Sequence, residues 1–149
     1  MPAPVSSLLT FVARLFLSLI FLMSAVGNKI PKFKPTTEKM AAEGVPAPSV
    51  LLVGAILFLI VGSLSVISGC KARIGAVLLI LFLIPATYYF HDFWTFEDAT
   101  VKQLQMIQFM KNLALAGGLL FIVANGPGGG SLDALLSKKT SSTRSKDED

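Results

Sequence analysis

Long apolar stretches alternate with short polar ones along this chain. Four runs stand out, at residues 8–26, 50–67, 74–86 (extended by aromatics to residue 90) and 107–124. Each comes close to the roughly 20 residues an α-helix needs to cross a hydrocarbon core about 30 Å thick. In lipid every backbone N–H and C=O must be paired inside the protein, so runs of this length predict helices. The pattern therefore predicts an all-α protein, a four-transmembrane-helix bundle with a short interfacial helix in the first loop. Its helices fall at about 8–27, 50–68, 74–91 and 104–125, within one membrane domain at 1–136.

The segments between the runs add detail. In the first loop, 28–49, Lys29, Lys32 and Lys34 alternate with Ile30, Pro31, Phe33 and Pro35, a composition suited to lipid headgroups. Thr36 or Thr37 can cap a short helix through Ala42, and Gly44 can end it. Val45-Pro46-Ala47-Pro48 then blocks helix until the second span. Residues 69–73 leave room only for a tight hairpin between the second and third spans. Gly54, Gly62, Gly69, Gly75 and Ala76 supply small surfaces for close helix approach. Pro85 should kink or loosen the third helix near its end. Gly126-Pro127-Gly128-Gly129-Gly130 ends the fourth, Ser131 to Leu136 can form one helical turn, and 137–149 reads as a disordered polar cytoplasmic tail.

Composition narrows the function classes. The chain is 53% hydrophobic and 15% charged, where soluble domains carry about 25% charged residues. The net charge of +4 comes largely from residues flanking the apolar runs, with no basic stripe interleaved with aromatics, so nucleic acid is not the partner. The first run is longer than a secretory h-region and contains Arg14, so it reads as an uncleaved span. The lone Cys70 rules out an internal dithiol relay, and with His91 the only histidine no tetrahedral metal site can be assembled. No intrinsic cofactor is indicated.

Four crossings put both ends on one side. Arg14, Lys71, Arg73, Lys138, Lys139, Arg144 and Lys146 narrowly outnumber Lys29, Lys32, Lys34, Lys39 and Lys102 on the other. The positive-inside rule then places both termini of this multi-pass protein in the cytoplasm.

Ionisable residues within spans are expensive and mark candidate sites. Arg14 shares a helical face with Ser18, Ala25 and Lys29; that face can point into the bundle, or Arg14 can snorkel to headgroups. At the far ends of the third and fourth spans, Tyr88, Tyr89, His91, Asp92 and Trp94 lie opposite Gln105, Gln108, Lys111 and Asn112. His91 beside tyrosines and a carboxylate suits a quinone carbonyl or a proton relay; Tyr88, Tyr89, Phe93, Trp94 and Phe96 together read better as an interfacial aromatic belt. Lys111 needs a partner, with Asp92, Glu97 or Asp98 nearest by topology. The candidate ligand or proton-relay set is Arg14, Lys29, His91, Asp92, Trp94, Lys111 and Asn112.

Several segments together resemble the DoxX family of small four-helix membrane proteins. They are Arg14 to Phe21 with Ser24 and Lys29, Met40 to Pro48, Lys71 to Ala76, His91 to Trp94, Phe109 to Leu120, and Gly126 to Asp133. Residues 50–54 are wholly apolar where a common family pattern has an acidic residue, so no carboxylate partner for Arg14 follows. The resemblance implies a four-helix membrane fold and a link to quinone-coupled redox systems. On it, the chain would be a membrane subunit of such a system with a quinone as ligand and a redox protein or larger membrane complex as partner. A non-catalytic scaffold or accessory subunit is the alternative, and the sequence assigns no catalytic group.

Overall fold

In the computed structural model, which describes residues 3–136, four long helices pack into a bundle and a fifth, short one closes one end. Helix α1 spans Ala3–Ser24 and continues as a π-helical turn, Ala25–Lys29. Helix α2 is Phe33–Ala42, α3 Pro48–Ser68, α4 Ala72–Phe90 and α5 Ala99–Asn125. At 1.5 Å per residue, the 21 residues of α3 reach about 31 Å, the thickness of a hydrocarbon core. All four long helices have the length and apolar character of membrane spans. Phe16, Val50, Ile84 and Phe121 face outward, as lipid requires, where a soluble bundle would carry charge.

Small residues decide how closely the helices approach. A Cβ on Gly62 of α3 would lie 2.9 Å from the Gly75 carbonyl oxygen of α4, and one on Gly75 would lie 2.9 Å from that of Gly62. The two backbones therefore cross in direct contact, the packing mode lipid favours. Around this crossing Leu59, Val66, Ala72, Ala76 and Leu79 form the core, joined by Phe21 of α1, Ala25 of the π-helical turn, and Leu119 and Ile122 of α5. Helix α3 ends on Gly69, whose φ of 70° suits a residue without a side chain, and Lys71 at φ 49° turns the chain into α4.

Helix α2 begins earlier than its threonines suggest. The Thr36 and Thr37 hydroxyls do not cap it; they donate back to the Lys32 and Lys34 carbonyls at 2.6 and 2.7 Å, inside the helix. Pro35 is accommodated in the first turn, where its missing N–H has no intrahelical role. Gly44, at φ 74°, then releases the chain. Met40 and Val45 pack on Leu52 of α3 and on Tyr89 and Phe90 of α4, so α2 lies across one end of the bundle.

Helix α5 starts upstream of its apolar run because Asp98 caps it, accepting the Val101 N–H at 2.8 Å. Beyond Asn125 the chain turns at Gly126 and runs back across the end where α1 begins. Thr10 Oγ1 donates to the Gly129 carbonyl at 2.7 Å, Asp133 N–H to the Gly69 carbonyl at 3.1 Å, and Lys71 N–H to Asp133 Oδ1 at 3.1 Å. Residues 132–136 make one helical turn, begun by Ser131. The expected tail at 137–149 lies outside the described residues.

Candidate functional site

At the α2 end a cavity of about 700 Å³ opens between α1, α2, α3, α4 and α5. Its walls are largely apolar, including Phe21, Leu52, Phe58 and Phe82, with fewer polar groups among them. Lys29, His91, Lys111 and Asn112, which come from α1, the end of α4 and α5, all line it. This volume falls within the range of about 300–1,000 Å³ typical of small-molecule sites.

Local structure aims each side chain. The π-helical turn, closed by the Ile30 N–H donating to Ala25 O at 2.9 Å, widens the end of α1. Lys29 is directed back into the bundle: its Nζ donates to Ser24 Oγ at 2.7 Å and stands 5.2 Å from the centre of the Phe82 ring. Asn112, only 8% exposed, donates through Nδ2 to Thr87 Oγ1 at 2.9 Å, and Thr87 in turn donates to the Leu83 carbonyl at 2.7 Å. His91 Nδ1 pairs with Gln105 Oε1 at 2.8 Å, tying the end of α4 to the start of α5. Lys111 donates to Gln108 Oε1, one turn back on its own helix, in place of the carboxylates expected from topology.

Three of the sequence candidates lie elsewhere. Asp92 folds onto its own turn, accepting from Thr95 Oγ1 at 3.1 Å. Trp94 is 52% exposed and stacks edge-on against Phe93 and Phe109, the arrangement of an interfacial aromatic cluster.

Arg14 sits at the opposite end. It is 2% exposed and faces the bundle with Ser18, so it does not snorkel. Its Nη2 donates to the Gly130 carbonyl at 2.8 Å, while Nε and Nη1 are buried without partners, as are the Ser18 and Ser63 hydroxyls. A Cβ on Gly69 would run into Arg14 Nη1 and Ser131. Sequence reasoning found the buried face but not the cover, a main-chain carbonyl far along the chain.

A second hollow, about 440 Å³, lies at this end between Lys71, Arg73, Asn125 and Asp133. Its cations are partly engaged: Arg73 leans on the Ala124 carbonyl at 3.4 Å, and the Lys71 backbone is held by Asp133. Cys70 is a free thiol in the adjoining turn, and among the described residues no three metal-ligating side chains converge.

The DoxX family profile matches residues 9–92, more than half of the chain. The chain belongs to the DoxX family. The matched segment of this DoxX protein includes Arg14, Lys29 and His91 and stops before Lys111 and Asn112. Similarity to individual relatives runs further. Inner membrane protein YqjF of Escherichia coli is 34% identical over 128 residues, covering 86% of this chain and 92% of that protein. Inner membrane protein YphA of the same organism is 30% identical over 125 residues, covering 84% and 88%. A Surfeit locus protein 4 homolog of Schizosaccharomyces pombe is 33% identical over 69 residues, 46% of this DoxX chain but only 23% of the yeast protein. No solved structure matches the chain. With four spanning helices and this kinship, it is a DoxX-family integral membrane protein.

Proposed function

We propose that the cavity at the α2 end binds the head group of a quinone dissolved in the membrane, and that the protein is a membrane subunit of a redox system. One observation carries the reading: Lys29, His91, Lys111 and Asn112, distant in sequence, line a single apolar-walled cavity. Lys29 and Asn112 supply N–H donors suited to a quinone carbonyl. With Nδ1 engaged by Gln105, His91 has Nε2 left to exchange a proton with a bound ring. A quinone brings two-electron, two-proton chemistry, and the electrons come from a partner protein. The names of YqjF and YphA support a bacterial inner membrane, and the basic turn at Lys71 and Arg73 supports cytoplasmic termini.

The test is a titration of the full chain in nanodiscs with a ubiquinone analogue, read by the fluorescence of Trp94, the sole tryptophan. Saturable quenching that weakens about tenfold in His91→Ala/Lys111→Ala supports the site. Quenching that the double variant leaves unchanged removes it.

A scaffold role is the second reading. Gly62 is consumed by Gly75 and Gly54 lines the cavity, but Gly117 on α5 faces outward with open space around it. A partner helix could pack closely there. Gentle solubilisation and native mass spectrometry that find only a monomer would remove this reading.

A further inference from the structure

The charge of the cavity says more about its ligand than its shape does. Lys29, Lys32, Lys39, Lys111 and His91 line it, and no aspartate or glutamate does. The acidic residues nearby are turned away: Glu38 and Glu43 are exposed on and beside α2, and Asp92 is folded onto Thr95. A lysine near the end of a spanning helix ordinarily extends its amine toward headgroups and water. Lys29 does the reverse. Its Nζ reaches back to Ser24 and lies over Phe82, so both of its partners are neutral. Lys39 likewise rests on a ring, 5.3 Å from the centre of Phe90. Rings and hydroxyls hold a cation in position without cancelling its charge.

The rest of the cavity lining is largely apolar. From Leu51 to Phe58 its wall runs about 10 Å down α3, and Leu83 and Leu115 line the facing helices. A head group at Lys29 would have this apolar wall beside it for an acyl or prenyl tail, and low-dielectric walls focus the field of the lysines on that head.

We propose that this cavity takes a single-chain amphiphile with an oxyanion head, a carboxylate or a phosphate, anchored by the Lys29 ammonium. The proposal rests on the reading of the cavity as a ligand site but differs from a neutral quinone in what the lysines select. Lys29 supplies the charge-assisted hydrogen bond, Lys39 and Lys111 draw the anion to the mouth, and the aromatic and aliphatic walls take the chain.

The experiment uses the full chain in zwitterionic nanodiscs, with laurate, dodecyl phosphate, dodecanol and a ubiquinone analogue as probes, read by native mass spectrometry. The expected result is that at least one of the two anions binds about tenfold or more tighter than dodecanol. Lys29→Gln should abolish that preference and Lys29→Arg should retain it, with Lys102→Gln, outside the cavity, as an unaffected control. Preference for laurate alone or dodecyl phosphate alone identifies the head as a carboxylate or a phosphate. Equal binding of dodecanol and the anions overturns the charge selection. Binding of the quinone analogue alone overturns this proposal and leaves the quinone site standing. Binding of none of the four overturns both. If Lys29→Gln does not fold, loss of the anion preference in Lys39→Gln/Lys111→Gln supports the proposal, and its persistence there overturns it.

Discussion

Arg14 and Gly130 are joined by a 2.8 Å hydrogen bond across 116 residues of chain. A cation buried at a bundle end is usually matched by a carboxylate; here Asp133 lies close enough to attract it, but the hydrogen bond goes to a backbone carbonyl of the glycine-rich return segment. The guanidinium is covered but only partly satisfied, with Nε and Nη1 unpartnered. The bond thus fastens the return segment more than it stabilises the charge.

Arg14→Met should leave the bundle nearly as stable as before, because the desolvation cost of a buried and incompletely paired cation offsets the bond that is lost. The return segment should loosen instead. Hydrogen exchange by mass spectrometry should show faster exchange at the Asp133 amide, which donates to the Gly69 carbonyl in the native fold. Unchanged protection there would mean that Arg14 does not hold the segment.

Gly69→Ala should destabilise by about 2–4 kcal/mol. The left-handed conformation at φ 70° costs an alanine about 1 kcal/mol or more, and the added Cβ meets Arg14 and Ser131. Gly117→Ala, within α5 and facing open space, should be neutral or stabilising by up to about 1 kcal/mol. Thermal unfolding of the two variants side by side checks the contrast.

Asn112→Leu and Thr87→Val should each cost little, with a coupling of about 0.6 kcal/mol in a double-mutant cycle, the usual worth of an interhelical hydrogen bond in lipid. A coupling near zero would place the Asn112 amide elsewhere in the cavity wall.

Asp98→Ala should lower stability by about 1 kcal/mol through loss of the cap on α5, and Asp98→Asn should recover most of it. Unfolding by denaturant of the purified protein gives the comparison directly.

The four spans were legible because lipid leaves the backbone so few alternatives; run length alone carries the argument. The Gly62–Gly75 crossing was also foreshadowed, since small residues on facing helices have one strong use in a membrane. Pairings of polar side chains were harder to read. His91 is next to Asp92 in sequence yet bonds Gln105, and Lys111 takes Gln108 over any carboxylate. Such choices depend on helix rotation, which periodicity fixes only coarsely. The start of α2 was obscured because threonine hydroxyls serve equally as caps or as back-bonding groups within a helix. The π-helical turn that re-aims Lys29 has no local signature, as tertiary packing sets its extra residue. Arg14 announced its own burial but not its partner, because a glycine carbonyl carries no side-chain mark.

The return segment also orders the protein's birth. Arg14 emerges from the ribosome 116 residues before Gly130, a lag of about 6–23 s at typical translation rates of 5–20 residues per second. Through that interval the carbonyl that Arg14 bonds has not yet been made. The bundle can be threaded once α5 has emerged, but this end stays unsealed until the glycines arrive.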